Sequence, residues 1–290
     1  MKIFITGHTG FIGKYFISKN TNYIFFKFDK KNVVNDVDVF LHFAGRAHDL
    51  ENINSLDKYL EDNTDLTKKI FDQFLLSKAK KFIFLSSVKA CTDKVKTVLT
   101  ETDISFPTSP YGISKRYAED YILDKIKSNP EKKVYILRPC MVHGPGNKGN
   151  LNLMYKFIMK YRFWPFGGFN NKRNYCGIDT LCFVINQLIG FNNINSGIYN
   201  VTDDDPISTN DLVRLIAKMK NRNIVIIPIP KFLVYYICKF GDIFNLSFNT
   251  HRLSKLTENF IVSNKKIKSV IGSDFHYSSV DNFNKTFNSF

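Results

Sequence analysis

Met-Lys-Ile-Phe-Ile-Thr-Gly-His-Thr-Gly-Phe-Ile-Gly, residues 1–13, sets the reading of everything after it. The apolar run Ile3 to Ile5 ends at Thr6-Gly7, glycines recur at 7, 10 and 13, and a helical pattern follows. Glycine has no Cβ, so it permits a tight turn, close approach of a phosphate to the backbone, and close helix–strand packing. A helix opening there aims unpaired N–H groups and its positive dipole end at an anion. Strand, glycine turn and helix in that order predict a dinucleotide cradle formed by Gly7, Thr9, Gly10, Phe11, Ile12 and Gly13. The plainer reading is a glycine-rich turn inside an ordinary α/β protein.

Working outward, the helix runs from Phe11 to Ser18, and Tyr23 to Phe28 is a second strand closed by Asp29. An acidic residue here accepts hydrogen bonds from adenosine ribose hydroxyls, which favours NAD(H). Lys30 and Lys31 follow at once and suit a 2′-phosphate, which favours NADP(H), so the cofactor choice stays open. Asp36 to Phe43 is already the next buried strand, too soon for the helix–strand pair that normally intervenes. The sheet is therefore expected to be shortened after strand 2, with a shallower adenine pocket and weaker cofactor affinity. Phe43-Ala44-Gly45 then puts small residues at a strand's carboxyl end, where a ligand can lie against the backbone.

A helical pattern from Leu56 to Leu75, which includes Asn63, precedes the strand Lys81 to Leu85 and its terminal hydroxyls Ser86 and Ser87. Pro110-Tyr111-Gly112-Ile113-Ser114-Lys115 begins a helix reaching Ile126. Tyr111 and Lys115 share one helical face. An ammonium near a phenol stabilises the phenolate and draws its pKa down from about 10. A phenol so tuned can exchange a proton with a carbonyl or carbinol oxygen, which a serine hydroxyl would hold. Tyr-x-x-x-Lys alone is also what a plain surface pair looks like; its order after the glycine turn and the serine strand end gives it weight.

Val134 to Leu137 is a fifth strand closed by Arg138-Pro139, and residues 143–150 form a long polar loop. The pattern then changes, with helix-like Leu151 to Tyr161, a glycine-bearing stretch to Asn171, and Lys172-Arg173. The expected fold is α/β: a Rossmann-type doubly wound parallel sheet over residues 1–150, to which some later segments return, and a smaller C-terminal lobe over 151–290.

The totals fit one large or two modest domains. Of 290 residues 44% are hydrophobic and 23% charged, and the net charge is +15. Lysines are spread through the chain, which argues against a nucleic-acid arm. The basic field favours anionic ligands, although lysine richness is equally a matter of genome composition. Five cysteines, Cys91, Cys140, Cys176, Cys182 and Cys238, have neither pairing nor metal spacing, so free thiols and no metal are expected. The N-terminal apolar run is too short for a signal peptide. The most membrane-like segment, Ile224 to Leu246, is interrupted by Lys231 and Lys239 and is too short to span, which takes roughly 20 apolar residues. It reads as an amphipathic surface helix or a packed one, and packing is the expectation.

Thr6-Gly7-x-x-Gly10-x-x-Gly13, Ser86-Ser87, Tyr111-x-x-x-Lys115 and Leu137-Arg138-Pro139 together resemble the extended short-chain dehydrogenases/reductases that modify nucleotide sugars. Leu85 to Lys89, Gly144 to Asn150 and Asn171-Lys172-Arg173 resemble the branch holding UDP-sugar 4-ketoreductases and UDP-glucose 4-epimerases. The resemblance implies Ser87, Tyr111 and Lys115 as catalytic residues. It implies cofactor contacts from the glycine turn, Asp29, Lys30, Phe43, Ala44, Gly45, Tyr111, Lys115 and Pro139, and substrate contacts from Ser87, Val88, Asn150 and Arg173. Dehydratases of the family carry Asp-Glu where this chain has Val88-Lys89, which discounts dehydration. His143 stands where Tyr is usual and reads as a loop or packing residue. The implied activity is NAD(P)-dependent 4-keto reduction of a UDP- or dTDP-hexose, with 4-epimerisation the alternative and non-catalytic dinucleotide binding a third reading. The setting it implies is cytoplasmic synthesis of a surface polysaccharide precursor. A homodimer through the helices of Leu66 to Leu75 and Tyr111 to Ile126 is compatible with it.

Overall fold

The computed structural model describes residues 1–29, 36–46, 55–147, 150–244, 249–272 and 278–290, leaving aside the side chains of Asn150 and His251. Its main sheet has six parallel strands in the order Gly197–Val201, Lys133–Pro139, Lys81–Leu85, Val39–His42, Lys2–Thr6 and Ile24–Lys27. The central strands are apolar almost without interruption because helices cover both faces, as a parallel sheet requires. Ile3, Ile5, Leu41, Ile83 and Tyr135 face the helices Phe11–Lys19 and Ile178–Gly190, whose Phe16, Leu181 and Ile185 meet them. The alternate residues Phe4, Phe40, Phe82 and Ile136 face Leu66–Leu76 and Pro110–Lys125 through Phe71, Phe74 and Ile122.

The chain moves from Lys2–Thr6 outward to Ile24–Lys27, then returns to Val39–His42 on the other side of the first strand. That reversal places a crevice at the carboxyl end of Lys2–Thr6, where ligands bind in open α/β sheets. Among the described residues the sheet stops at Ile24–Lys27, so the expected shortening after strand 2 is present. Ile24 is 58% exposed at this edge, which in a longer sheet the next strand would cover.

A separate apolar cluster includes Leu151, Met154, Ile158, Trp164, Leu212, Val213, Phe283 and Phe287. All five cysteines are buried and unpaired. The helical pattern from Leu56 to Leu75 holds a π-helical turn, Leu60–Asp65, between Leu56–Tyr59 and Leu66–Leu76. The expectation that Ile224 to Leu246 is packed fails for its helix, whereas Ile224, Ile226 and Ile229 do pack on the second cluster and residues 245–246 lie outside the described residues. That helix, Lys231–Ile243, buries only Val234, Cys238 and Gly241, because the cluster beneath it receives a single narrow stripe. No helix among the described residues is long and apolar enough to cross a membrane.

Candidate active site

Gly7 adopts φ +68°, and a Cβ there would lie 2.6 Å from the Ala44 nitrogen and the Phe43 carbonyl carbon. Only glycine lets the first turn press against the end of Val39–His42. Gly10 donates its amide to the Gly7 carbonyl at 3.0 Å, and Gly13 packs on the Gly7 backbone without room for a side chain. The helix Phe11–Lys19 then opens with no side-chain cap and no acidic residue in its first turn, which leaves its amides for an anion. These features fit a dinucleotide pyrophosphate. Thr9 and Gly10 are exposed there, while Phe11 and Ile12 are half-buried.

Thr6 Oγ1 ties the neighbouring strand in place: it accepts from the Ala44 amide at 3.0 Å and meets His42 Nδ1 at 2.7 Å. His42 Nε2 lies 2.9 Å from Thr67 Oγ1. Burial, with the Lys115 charge nearby, pushes the His42 pKa down to about 3, so this ring is neutral and structural. Gly45, at φ +150°, backs onto Asn63 and the Lys115 ammonium. Asp29 is exposed beyond the edge strand, and Lys30 lies outside the described residues. Pro139 ends its strand, buried and paired with Val201.

Ser87 and Tyr111 meet, and Lys115 follows Tyr111 by one turn of the helix Pro110–Lys125. The Tyr111 hydroxyl hydrogen-bonds Ser87, whose Oγ also accepts from the Lys89 amide at 3.2 Å. Ser86 turns the other way: its hydroxyl donates to Glu119 Oε1 at 2.5 Å. The chain therefore divides its two serines, Ser87 for the site and Ser86 for the frame. Lys115 Nζ donates to the Leu85 carbonyl at 3.0 Å and lies 4.8 Å from the Phe84 ring centre.

One expectation is corrected. Burial pushes the Tyr111 pKa up to about 12, although its bond to Ser87 pulls the other way, and Lys115 does not offset it. Desolvation of the phenolate outweighs the gain, so the ligand-free phenol holds its proton across the neutral range. Burial likewise depresses Lys115 to about 8, partly opposed by Glu119. This sets a pH signature. The folded state gives up the Lys115 proton near pH 8 and the unfolded chain near 10.5, so stability rises between those values. The variant Lys115→Met should lack that rise, which amounts to about 3 kcal/mol. Urea melts of both proteins from pH 7 to 10.5 check this, and parallel curves would refute it.

Two features of the frame have no role assigned from the sequence: Glu119, which it does not single out, and Asn63, which it places on its helix only. Glu119, fully buried, follows Lys115 by one helical turn and receives Arg138 through Nε at 2.9 Å and Nη2 at 2.6 Å. Asn63, also fully buried, lies in the π-helical turn, accepts from the Arg46 amide at 2.7 Å and donates to Ser114 at 2.9 Å. A single π turn in a helix is often found at functional sites. The four-residue step from Lys115 to Glu119 was the available signal for Glu119. Asp93 accepts from the amides and hydroxyls of Thr108 and Ser109, which anchors the start of the Tyr111 helix.

Arg173 sits half-buried where its backbone pairs with Ile207. Burial lowers the pKa of Lys89, its ion pair with Asp93 at 3.6 Å opposes this, and the charges of Arg173 and Lys255 lower it further, so three cations and one carboxylate share one locality. Such a cluster suits a diphosphate. Val88 is buried beside Ser87. Asn150 begins the helix Asn150–Lys160, and its side chain lies outside the described residues. His143 is a packing residue: it is fully buried, 4.1 Å from the Phe283 ring, with Nδ1 at 2.9 Å from Thr286 Oγ1.

The model of the NAD dependent epimerase/dehydratase family matches residues 27–201. A UDP-glucose 4-epimerase of Vibrio cholerae is 28% identical over 286 residues, covering 87% of this chain and 85% of that protein. An N-acetyl-alpha-D-glucosaminyl-diphospho-ditrans,octacis-undecaprenol 4-epimerase of Escherichia coli O157:H7 is 25% identical over 63% of this chain and 56% of its own length. Among solved structures, a UDP-glucuronic acid 4-epimerase from Bacillus cereus in complex with NAD superposes with a TM-score of 0.77 at 18% identity. That likeness covers 100% of this chain and 96% of the other, and at such identity it speaks for the fold alone.

Proposed function

Because the chain belongs to the NAD-dependent epimerase/dehydratase family, we propose that it carries out NAD(P)-linked redox chemistry at C4 of a nucleotide-activated hexose, as a 4-ketoreductase. The observation that carries this reading is the Tyr111–Ser87 hydrogen bond, with Lys115 one helical turn on and held by the Leu85 carbonyl, beside a glycine cradle suited to a dinucleotide. When bound, the nicotinamide supplies the two electrons of the redox step. Ser87 holds the sugar oxygen, and Tyr111 gives it a proton from a phenol that burial keeps protonated. Lys115, fixed by the Leu85 carbonyl, places a positive charge behind that transfer. Lys89, Arg173 and Lys255 hold the diphosphate of the substrate, with Asn150 and Val88 assigned to the same pocket. The lobe built from residues 151–290, apart from the helix Ile178–Gly190 and the strand Gly197–Val201, is assigned to the nucleotide sugar.

The shortened sheet favours reduction over epimerisation. A reductase exchanges its cofactor every turnover, and a sheet ending at Ile24–Lys27 offers adenosine fewer walls. A second reading, 4-epimerisation with retained NAD, is favoured by the Vibrio relative's name and by the extent of that alignment. One assay separates them. UDP- and dTDP-4-keto-6-deoxy sugars with NADH or NADPH should oxidise the reduced cofactor stoichiometrically. Interconversion of UDP-hexose epimers without net consumption would establish the second reading instead.

A further inference from the structure

We propose that the helix Lys231–Ile243 is a membrane-docking element that lies on an anionic bilayer surface. Thirteen residues make a helix of about 20 Å, too short to span and long enough to lie in the interface. Only Val234, Cys238 and Gly241 are buried, at the i, i+4, i+7 spacing of one narrow stripe. Phe232, Tyr235, Tyr236, Ile237, Phe240 and Ile243 lie outside it, between 48% and 73% exposed, and Phe244 continues the patch at 59%. A soluble protein's outward helix face is ordinarily polar, and large contiguous apolar patches mark interaction sites. Tyrosine settles at the level of lipid headgroups, and phenylalanine forms the buried apolar face of helices that lie in the interface.

Charge selects the occupant. Residues 211–258 hold eight Lys or Arg against three Asp or Glu, within a chain of net charge +15. A second copy meeting this face across a two-fold axis would bring the same excess positive charge against itself. An anionic leaflet attracts it through the lysines and arginines that lie near the surface. Lys239 stands 5.7 Å from the Tyr235 ring on the helix itself, while Lys231, at the helix start, lies 5.8 Å from the Phe169 ring of the lobe beneath. The docking itself does not depend on which sugar is turned over.

Flotation of the full chain with vesicles of phosphatidylcholine containing about a third phosphatidylglycerol tests this. The wild type should float with them, stay behind with pure phosphatidylcholine, and be released by salt. Two variants complete the experiment, Phe232→Ser/Tyr236→Ser/Phe240→Ser and Lys231→Glu/Lys239→Glu, both at exposed positions. Each should lower the bound fraction at least about tenfold while circular dichroism and melting stay those of the wild type. Absence of flotation by the folded wild type overturns the proposal, and so does flotation that neither variant weakens. A wild-type dimer that the serine variant dissociates, with no vesicle binding, overturns it in favour of a second copy.

Discussion

Replacing Tyr111 by phenylalanine should lower turnover about 10²- to 10⁴-fold while leaving the fold and cofactor binding intact. The ring remains to pack against Tyr59, at 6.2 Å between centroids, and only the hydroxyl that bonds Ser87 is lost. Ser87 keeps its bond from the Lys89 amide, so the loss of one hydrogen bond costs about 1 kcal/mol. The change therefore isolates chemistry from structure. Cofactor titration by fluorescence, a thermal melt and the sugar assay on the same preparation check it. Turnover retained by Tyr111→Phe would remove the phenol from the reaction and require another proton source, while no turnover in the wild type would leave non-catalytic dinucleotide binding.

Arg138→Met should be the most destabilising single change in the frame of the site. Arg138 is 1% exposed, Glu119 is fully buried, and the carboxylate takes both guanidinium bonds and the Ser86 hydroxyl. Removing the arginine leaves an uncompensated buried charge, at a cost of about 3–5 kcal/mol. For a chain of this size that lowers Tm by roughly 6–20 °C. The double change Glu119→Leu/Arg138→Met removes both charges and should recover most of the loss, since apolar replacement of a buried pair is often neutral. Calorimetry of the two variants checks this. If the double variant melts no higher than Arg138→Met, packing around the arginine, not charge, is what the site needs.

The two variants probe parts of the molecule that differed in how readily they could be read from the sequence. Gly7, Gly10 and Gly13 were legible because a backbone pressed against a neighbouring strand admits no Cβ, and glycine spacing writes that constraint directly into the chain. Tyr111 and Lys115 were legible because one helical turn separates them. The loss of a helix–strand pair after Asp29 followed from arithmetic, since too few residues precede the next apolar run. Ser87 was singled out over Ser86 by resemblance, and the structure supplies the reason: Glu119 has already engaged Ser86.

By itself, then, the sequence determined the parallel α/β fold, its cradle and its candidate acid, because these depend on short-range spacing and on which residue types a backbone can tolerate. Only the tertiary structure decided the charge states and the surfaces. The Tyr111 phenol is pushed up by burial, where the sequence predicted that Lys115 would draw it down. Lys89, Arg173 and Lys255 become one cationic locality across three distant segments. The helix Lys231–Ile243, apolar enough to read as packed, turns most of that apolarity outward. Desolvation and exposure depend on what else the fold brings near a side chain, and neighbours along the chain do not specify that.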